Sequence, residues 1–368
     1  MEFKITEEMI KNSLVSKGDT SKIINTMNKA ISGQDITVAF LGGSITQGCN
    51  ATSFENCYAS RTYEWFKNKF SNINVKYINA GVGATGSIIG VHRVERQVLY
   101  HNPDIIFIDF AVNDKDTIYD KIAYESLIRR TLSVQNPPAI IEVFMSNFDG
   151  SNVQEQQMEI GKKYNVPMVS FRNTIYSEMI KNNLKWSEVA TDEVHPNDYG
   201  HFIISQLLLN FMENIYKDLE EVKVNNIELG QPLFGDKYIS GIIMNDDNLD
   251  EKKVDGFTLD NEGFQVFNKG WKFDSNSGGR ASLVFNVEGE NIFLLFKKSV
   301  KQCAGKLCIK VDDSKTMLLD TYFKDGWGDY SETKVLVNDS VKTKHKIEIT
   351  VVDEGKPVEI SIMGLLVS

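Results

Sequence analysis

The chain has 368 residues and a formal net charge of −10, with 42% hydrophobic and 24% charged residues. That length exceeds one ordinary hydrophobic core and suits two domains, and the composition is typical of a globular protein rather than a disordered or membrane-spanning one. The acidic excess disfavours nucleic acid and anionic membranes as partners. No stretch reaches the roughly 18 apolar residues of a membrane-spanning helix.

The first residues and the cysteines indicate the compartment. Met1 to Glu8 lack the basic start and apolar block of a signal peptide, which predicts a cytoplasmic protein. We therefore expect free thiols at the four cysteines, Cys49, Cys57, Cys303 and Cys308. None of them has C-x2-C spacing or a nearby histidine, so we expect no metal site and no other cofactor.

Strand and helix patterns alternate through the first part of the chain. Residues 1 to about 35 predict amphipathic helix, and an apolar run over 38–41 predicts the first strand. Later strands are predicted over 75–80, 105–110, 139–145 and 167–170, and helices over 90–100, 119–132, 154–164, 176–183 and 199–219. Continuously apolar strands that alternate with helices predict a parallel sheet covered on both faces, a three-layer α/β/α domain.

The pattern changes near residue 222, where short β-branched and aromatic runs alternate with Asn, Asp and Gly turns. This is typical of an all-β sandwich. We therefore predict an α/β domain over 1–221 and a jelly-roll-like sandwich over 222–368, with the boundary between Asp218 and Gly235.

Two segments predict nucleophilic catalysis. The first strand ends at Gly42 and Gly43, which permit a sharp turn that exposes the Ser44 hydroxyl at the carboxyl edge of the sheet. Far along the chain, Asp192 precedes His195 by three residues, a spacing that lets the carboxylate reach one imidazole nitrogen and leave the other available. A serine hydroxyl needs such a base, and the carboxylate orients it.

Attack of a serine on a carbonyl group also requires donors for the developing oxyanion. The candidates are the Ser44 N–H, a backbone N–H in the glycine-rich turn after the second predicted strand, and the Asn113 amide after the third. In that turn Gly83 is the first choice and Ala84 the alternative, since either offers a backbone N–H.

These four blocks together resemble the SGNH (GDSL-type) hydrolases, whose Ser, Gly, Asn and Asp-x-x-His blocks occur in this order. The resemblance implies a flavodoxin-like fold, with Ser44 as nucleophile, His195 as base, Asp192 as its partner and Asn113 in the oxyanion hole. The first block departs from Gly-Asp-Ser-Leu: Gly43 stands where Asp is usual, and Ile45 where Leu is usual.

Within this clan the chain is similar to carbohydrate O-acetyl esterases, whose β-sandwich modules often contact polysaccharide. The resemblance implies an acetylated oligo- or polysaccharide as substrate and makes the sandwich a candidate carbohydrate-binding module. The alternatives are a lipase, lysophospholipase or thioesterase, or a carbohydrate-binding protein without turnover. The oligomeric state stays open, with a homodimer as one option.

Other side chains admit two interpretations. Tyr58 and Trp186 are either core residues or walls of a substrate pocket. Trp271 and Trp327 are better interpreted as sandwich core than as sugar-stacking platforms. The glycine pattern over 81–86 also matches a dinucleotide fingerprint, but one weak motif stands against four concordant blocks.

Overall fold

The computed structural model describes residues 5–219, 228–276 and 279–368. The chain forms two compact units, Met1–Asp236 and Lys237–Ser368. The predicted domain boundary between residues 221 and 222 lies outside the described residues.

The first unit alternates strands and helices. Its strands are β1 (Leu14–Ser16), β2 (Ile36–Gly42), β3 (Val75–Gly81), β4 (Ile105–Asp109), β5 (Ala139–Phe144) and β6 (Met168–Ser170). Its helices are α1 (Glu7–Ser13), α2 (Ser21–Ile31), α3 (Ser44–Gln47), α4 (Tyr58–Lys69), α5 (Ser87–Gln97), α6 (Ile118–Ser133), α7 (Gln154–Lys163), α8 (Phe171–Ile180), α9 (Trp186–Val189) and α10 (Asp198–Lys217).

The strand order, β1-β6-β5-β4-β2-β3, explains where a site can form. Strands β2 to β6 are parallel, whereas β1 pairs antiparallel with β6 at one edge. The order reverses between β2 and β4, as in flavodoxin-like folds, and ligands bind outside the carboxyl ends of the strands at such a switch point. The predicted α/β fold class is confirmed, but the short strand β1 interrupts the segment that we expected to be helical throughout.

The central strands are apolar because both faces are covered. In β4 and β5 every residue is buried. Helix α10 packs its apolar side, including Ile203, Leu207 and Phe211, into the same core. Its first turn is capped by the Asn197 side chain, which accepts the N–H groups of Tyr199 and Gly200.

The second unit is an all-β sandwich with antiparallel ladders. Its strands are β7 (Ile242–Met244), β8 (Lys252–Asp255), β9 (Thr258–Asp260), β10 (Gly270–Ser275), β11 (Ser282–Lys298), β12 (Lys306–Val311), β13 (Met317–Asp320), β14 (Tyr330–Val351) and β15 (Val358–Val367). The first half of β11 alternates buried and partly exposed residues, the period-two pattern of a half-buried strand. The long pair β11–β14 shifts register near Gly289 and Ile292.

Trp271 belongs to this core, since only 1% of its surface is exposed and its ring packs against Phe285. It therefore presents no face to a sugar. Trp327 differs from the predicted core residue, because 71% of its surface is exposed.

Candidate active site

The turn after β2 presents Ser44 as the first residue of α3. Gly43 has a negative φ, so its backbone does not require glycine. The requirement comes instead from a close contact with a neighbouring side chain. A Cβ built at Gly43 would lie 2.1 Å from Asn113 Oδ1. A side chain at position 43 would therefore overlap the Asn113 carboxamide.

Ser44, His195 and Asp192 come together although 151 positions separate the serine from the histidine. The Ser44 Oγ lies 2.9 Å from His195 Nε2. On the other side of the ring, His195 Nδ1 lies 2.8 Å from Asp192 Oδ2. With its Nδ1 proton directed at the carboxylate, the imidazole can accept the serine proton at Nε2.

A tight turn holds Asp192 and His195. Asp192 Oδ1 accepts the backbone N–H groups of Val194 and His195, at 2.8 and 2.7 Å. The Trp186 indole is half-buried, and its Nε1–H donates to the Asp192 carbonyl at 2.6 Å. Trp186 therefore supports the turn that carries His195.

The surroundings of this pair favour the ionised form of each side chain, the Asp192 carboxylate and the His195 imidazolium. Partial burial would raise the pKa of Asp192, but hydrogen bonds from the His195 and Val194 backbone and from the imidazole outweigh it and lower this pKa. The side chain of Cys49 and then the Asp192 carboxylate raise the pKa of His195 to about 9, against the opposing effect of burial. Imidazolium is thus strongly stabilised at this position.

Three hydrogen-bond donors lie on the segments that follow β2, β3 and β4. Among the described residues, no group accepts a hydrogen bond from the Ser44 N–H, the Ala84 N–H or the side-chain Nδ2 of Asn113. The Gly83 N–H, our first choice from sequence, donates instead to Gln47 Oε1 at 2.9 Å. Ala84 has φ of 58°, the left-handed conformation that normally favours glycine.

Asp114 ties the loops of these donors together. Its buried carboxylate accepts the Ser87 N–H at 2.6 Å, at the start of α5, and the Gln157 amide of α7 at 3.0 Å. Burial and the nearby Asp120 raise the pKa of Asp114 well above its ordinary value. The contacts place Asp114 in a supporting role beside Asn113.

A buried polar chain lies beneath α3. Thr46 donates to Asp109 Oδ2 at 3.0 Å and hydrogen-bonds the Tyr58 hydroxyl at 2.8 Å. Burial raises the pKa of Asp109 to about 7. Tyr58 is 0% exposed and belongs to the core, so the interpretation of Tyr58 as a wall of a substrate pocket is wrong. Its hydroxyl instead supports the helix that begins at Ser44.

Sequence reasoning missed several residues around the site. Asn50 donates to Asp192 Oδ2 at 3.1 Å, and the Cys49 N–H donates to the Ser44 carbonyl at 3.0 Å. Arg93 is buried and donates to the carbonyls of Gly42 and Ala80, where β2 and β3 end. No spacing rule links these residues to the four blocks; only their contacts reveal them.

In residues 5–219, 228–276 and 279–368, no group of three or more His, Cys, Asp or Glu side chains is arranged to hold a metal ion. Nor does any helix within those ranges combine the length and apolar character that crossing a bilayer requires.

This chain is similar to known proteins both in the sequence of its first unit and in its structure. The GDSL-like lipase/acylhydrolase family model matches residues 40–203, which contain Ser44, Asn113 and His195. A solved two-domain esterase (CEX) active on acetylated mannans is 30% identical, covers 98% of each chain and superposes with a TM-score of 0.91. The same description applies to a structure co-crystallised with mannopentaose, at 30% identity, 100% and 98% coverage and a TM-score of 0.89. No curated protein sequence is similar enough to count as a match.

The family model covers the segments that bring serine, asparagine and histidine to one sheet edge, and the similarity to the two-domain esterase extends along almost the whole of both chains. This chain therefore belongs to the GDSL-like lipase/acylhydrolase family of carboxylic ester hydrolases.

Proposed function

We propose that the protein is a serine esterase that removes acetyl groups from carbohydrate hydroxyls, with acetylated mannan oligosaccharides as its substrates. The observation that carries the proposal is the hydrogen-bonded chain from Ser44 through His195 to Asp192, with distances of 2.9 and 2.8 Å. The described activity of the 30% identical esterase supports the choice of acetylated mannan.

In this mechanism Ser44 Oγ attacks the acetyl carbonyl while His195 Nε2 takes its proton. Asp192 stabilises the imidazolium that forms, and His195 then gives the proton to the departing sugar oxygen. The acetyl group remains on Ser44 until a water molecule, activated by the same imidazole, releases acetate. The residues that carry these steps need no metal or organic cofactor.

The oxyanion is stabilised by the Ser44 N–H, the Ala84 N–H and the Asn113 amide. Ala84 is preferred to Gly83 because the Gly83 N–H already donates to Gln47. Loss of one such donor typically lowers the rate about 10²–10³-fold.

The sandwich contributes a sugar-binding platform in this proposal. Trp327 is 71% exposed, and its ring is buttressed by Phe323 at 5.7 Å and Tyr330 at 5.2 Å between centroids. Exposed aromatic faces that neighbouring rings hold in place offer apolar surface to the CH face of a sugar. Trp327→Ala should weaken mannopentaose binding by the full-length protein, whereas Leu318→Ala, which removes another exposed apolar side chain, should not.

Acetate release tests the catalytic proposal. Wild-type protein should release acetate from acetylated mannan oligosaccharides and from p-nitrophenyl acetate, and Ser44→Ala should lose both activities. A fluorophosphonate probe should label Ser44 in the wild type. Cleavage of long-chain acyl esters without acetate release from sugars would instead indicate a lipase or thioesterase, and a protein that binds mannan without labelling or turnover would be a binding protein.

A further inference from the structure

The carboxylate of Asp192 accepts four hydrogen bonds, and one of them comes from outside its own turn. Oδ1 accepts the Val194 and His195 N–H groups, and Oδ2 accepts His195 Nδ1. The fourth donor is Asn50 Nδ2, which lies 3.1 Å from Oδ2. Because the Asp192 side chain is 48% exposed, water competes for this oxygen wherever a protein donor does not occupy it.

Asn50 belongs to the segment that follows the nucleophile. The Cys49 N–H donates to the Ser44 carbonyl at 3.0 Å, so Asn50 is tied closely to the turn of Ser44. Asn50 has φ of 63°, a conformation that asparagine tolerates better than most residues. Its amide also donates to the Thr191 hydroxyl, so both amide protons are directed at the turn that carries Asp192.

The rest of this segment is held to α10. The Thr52 N–H donates to Asp198 Oδ1 at 2.8 Å, and Asn56 donates to Asp198 Oδ2 at 3.1 Å. The His201 ring contacts the Cys49 carbonyl at 3.1 Å. Asn50 is therefore presented from a segment fixed at several points rather than from a loop with a single attachment.

We propose that Asn50 is a positioning residue for catalysis. From the segment that follows Ser44, it holds the Asp192 carboxylate in the orientation that hydrogen-bonds His195. This inference rests on the proposed serine esterase function. Asn50 acts through Asp192 and does not contact the reacting atoms, so its loss should lower kcat and leave KM nearly unchanged.

Two variants test the assignment. Asn50→Ala removes the donor, and we expect kcat for p-nitrophenyl acetate to fall roughly 10-fold, the lower end of what a hydrogen bond to a charged group contributes. Asn50→Asp keeps the shape and the tolerance for positive φ but sets a second carboxylate beside Asp192. The groups that face His195 are Asp192 and Cys49, with His201 also nearby. An added negative charge favours the imidazolium, so the acidic limb of the kcat/KM profile should move to higher pH.

Asn182→Ala is the matched control, since Asn182 is also exposed and also has positive φ, of 59°, but lies at the end of α8. It should keep wild-type kcat. An Asn50→Ala enzyme with wild-type kcat, a loss confined to KM, or an Asn50→Asp profile that does not move would overturn the assignment. Wild-type protein that leaves Ser44 unlabelled by the fluorophosphonate would instead overturn the proposed function itself, so the two failures are distinguishable.

Discussion

Gly43→Ala is the substitution that separates catalysis from folding most sharply. The new Cβ would lie 2.1 Å from Asn113 Oδ1 and 2.9 Å from its Cγ, and both distances are shorter than Cβ atoms make to non-bonded atoms in proteins. The carboxamide must therefore move by about 1 Å, a displacement that costs on the order of 10²-fold when it affects a catalytic group. The full loss of one oxyanion donor costs about 10²–10³-fold, or roughly 3–4 kcal/mol of transition-state stabilisation.

The same substitution should cost little stability. Gly43 has φ of −89°, which alanine adopts without strain, and the obstructing atoms are the end of a side chain that can rotate away. We therefore expect kcat for p-nitrophenyl acetate to fall about 10²–10³-fold. KM should be nearly constant, and the free energy of unfolding should change by less than about 1 kcal/mol.

A double-mutant cycle with Asn113→Ala supplies the control. Once the carboxamide is absent, a methyl group at position 43 has nothing to displace, so the second substitution should have little further effect on kcat. Steady-state kinetics on the four proteins, with urea unfolding of each, completes the test. Retention of kcat by Gly43→Ala, or an equal loss in the Asn113→Ala background, would refute the reasoning.

Three further predictions follow from the buried and charged groups. The pKa of His195 is raised to about 9, and only the neutral imidazole is a base, so kcat/KM should increase with pH towards that value. Cys49→Ala should move the acidic limb of this pH profile to lower pH. An unchanged profile would contradict the assignment of Cys49 as a cause of the raised pKa. Burial raises the pKa of Glu142 well above its ordinary value, so the unfolded chain releases this proton first and stability should fall as pH rises above about 4.5. Glu142→Gln should make that decline shallower by up to about 1.4 kcal/mol per pH unit in urea unfolding just above pH 4.5, and an unchanged slope would be evidence against a neutral acid. Tyr58→Phe should cost about 1 kcal/mol of stability through the lost bond to Thr46, with KM for acetylated sugars unchanged; a raised KM without lost stability would restore the substrate role.

Local patterns predicted the elements of the first unit well because strands buried on both faces must be continuously apolar. β4 and β5 lie within one residue of the ranges expected from sequence. Helix α8 begins at Phe171 rather than at residue 176, since the Ser170 hydroxyl caps it by accepting the Asn173 N–H. The edge strand β1 has only three residues, none of them buried, so it leaves no periodic signal.

Chain order and residue chemistry alone determined the fold class, the β-rich second half, and the four blocks that come together at one sheet edge. Tertiary structure decided what lies between them: that Asn113 fills the space beside Gly43, that Tyr58 is buried under α3, and that Asn50 contacts Asp192. Periodicity and spacing report which side of an element a residue faces. Contacts between side chains of different elements depend instead on how those side chains fill one volume, and no single segment records that packing.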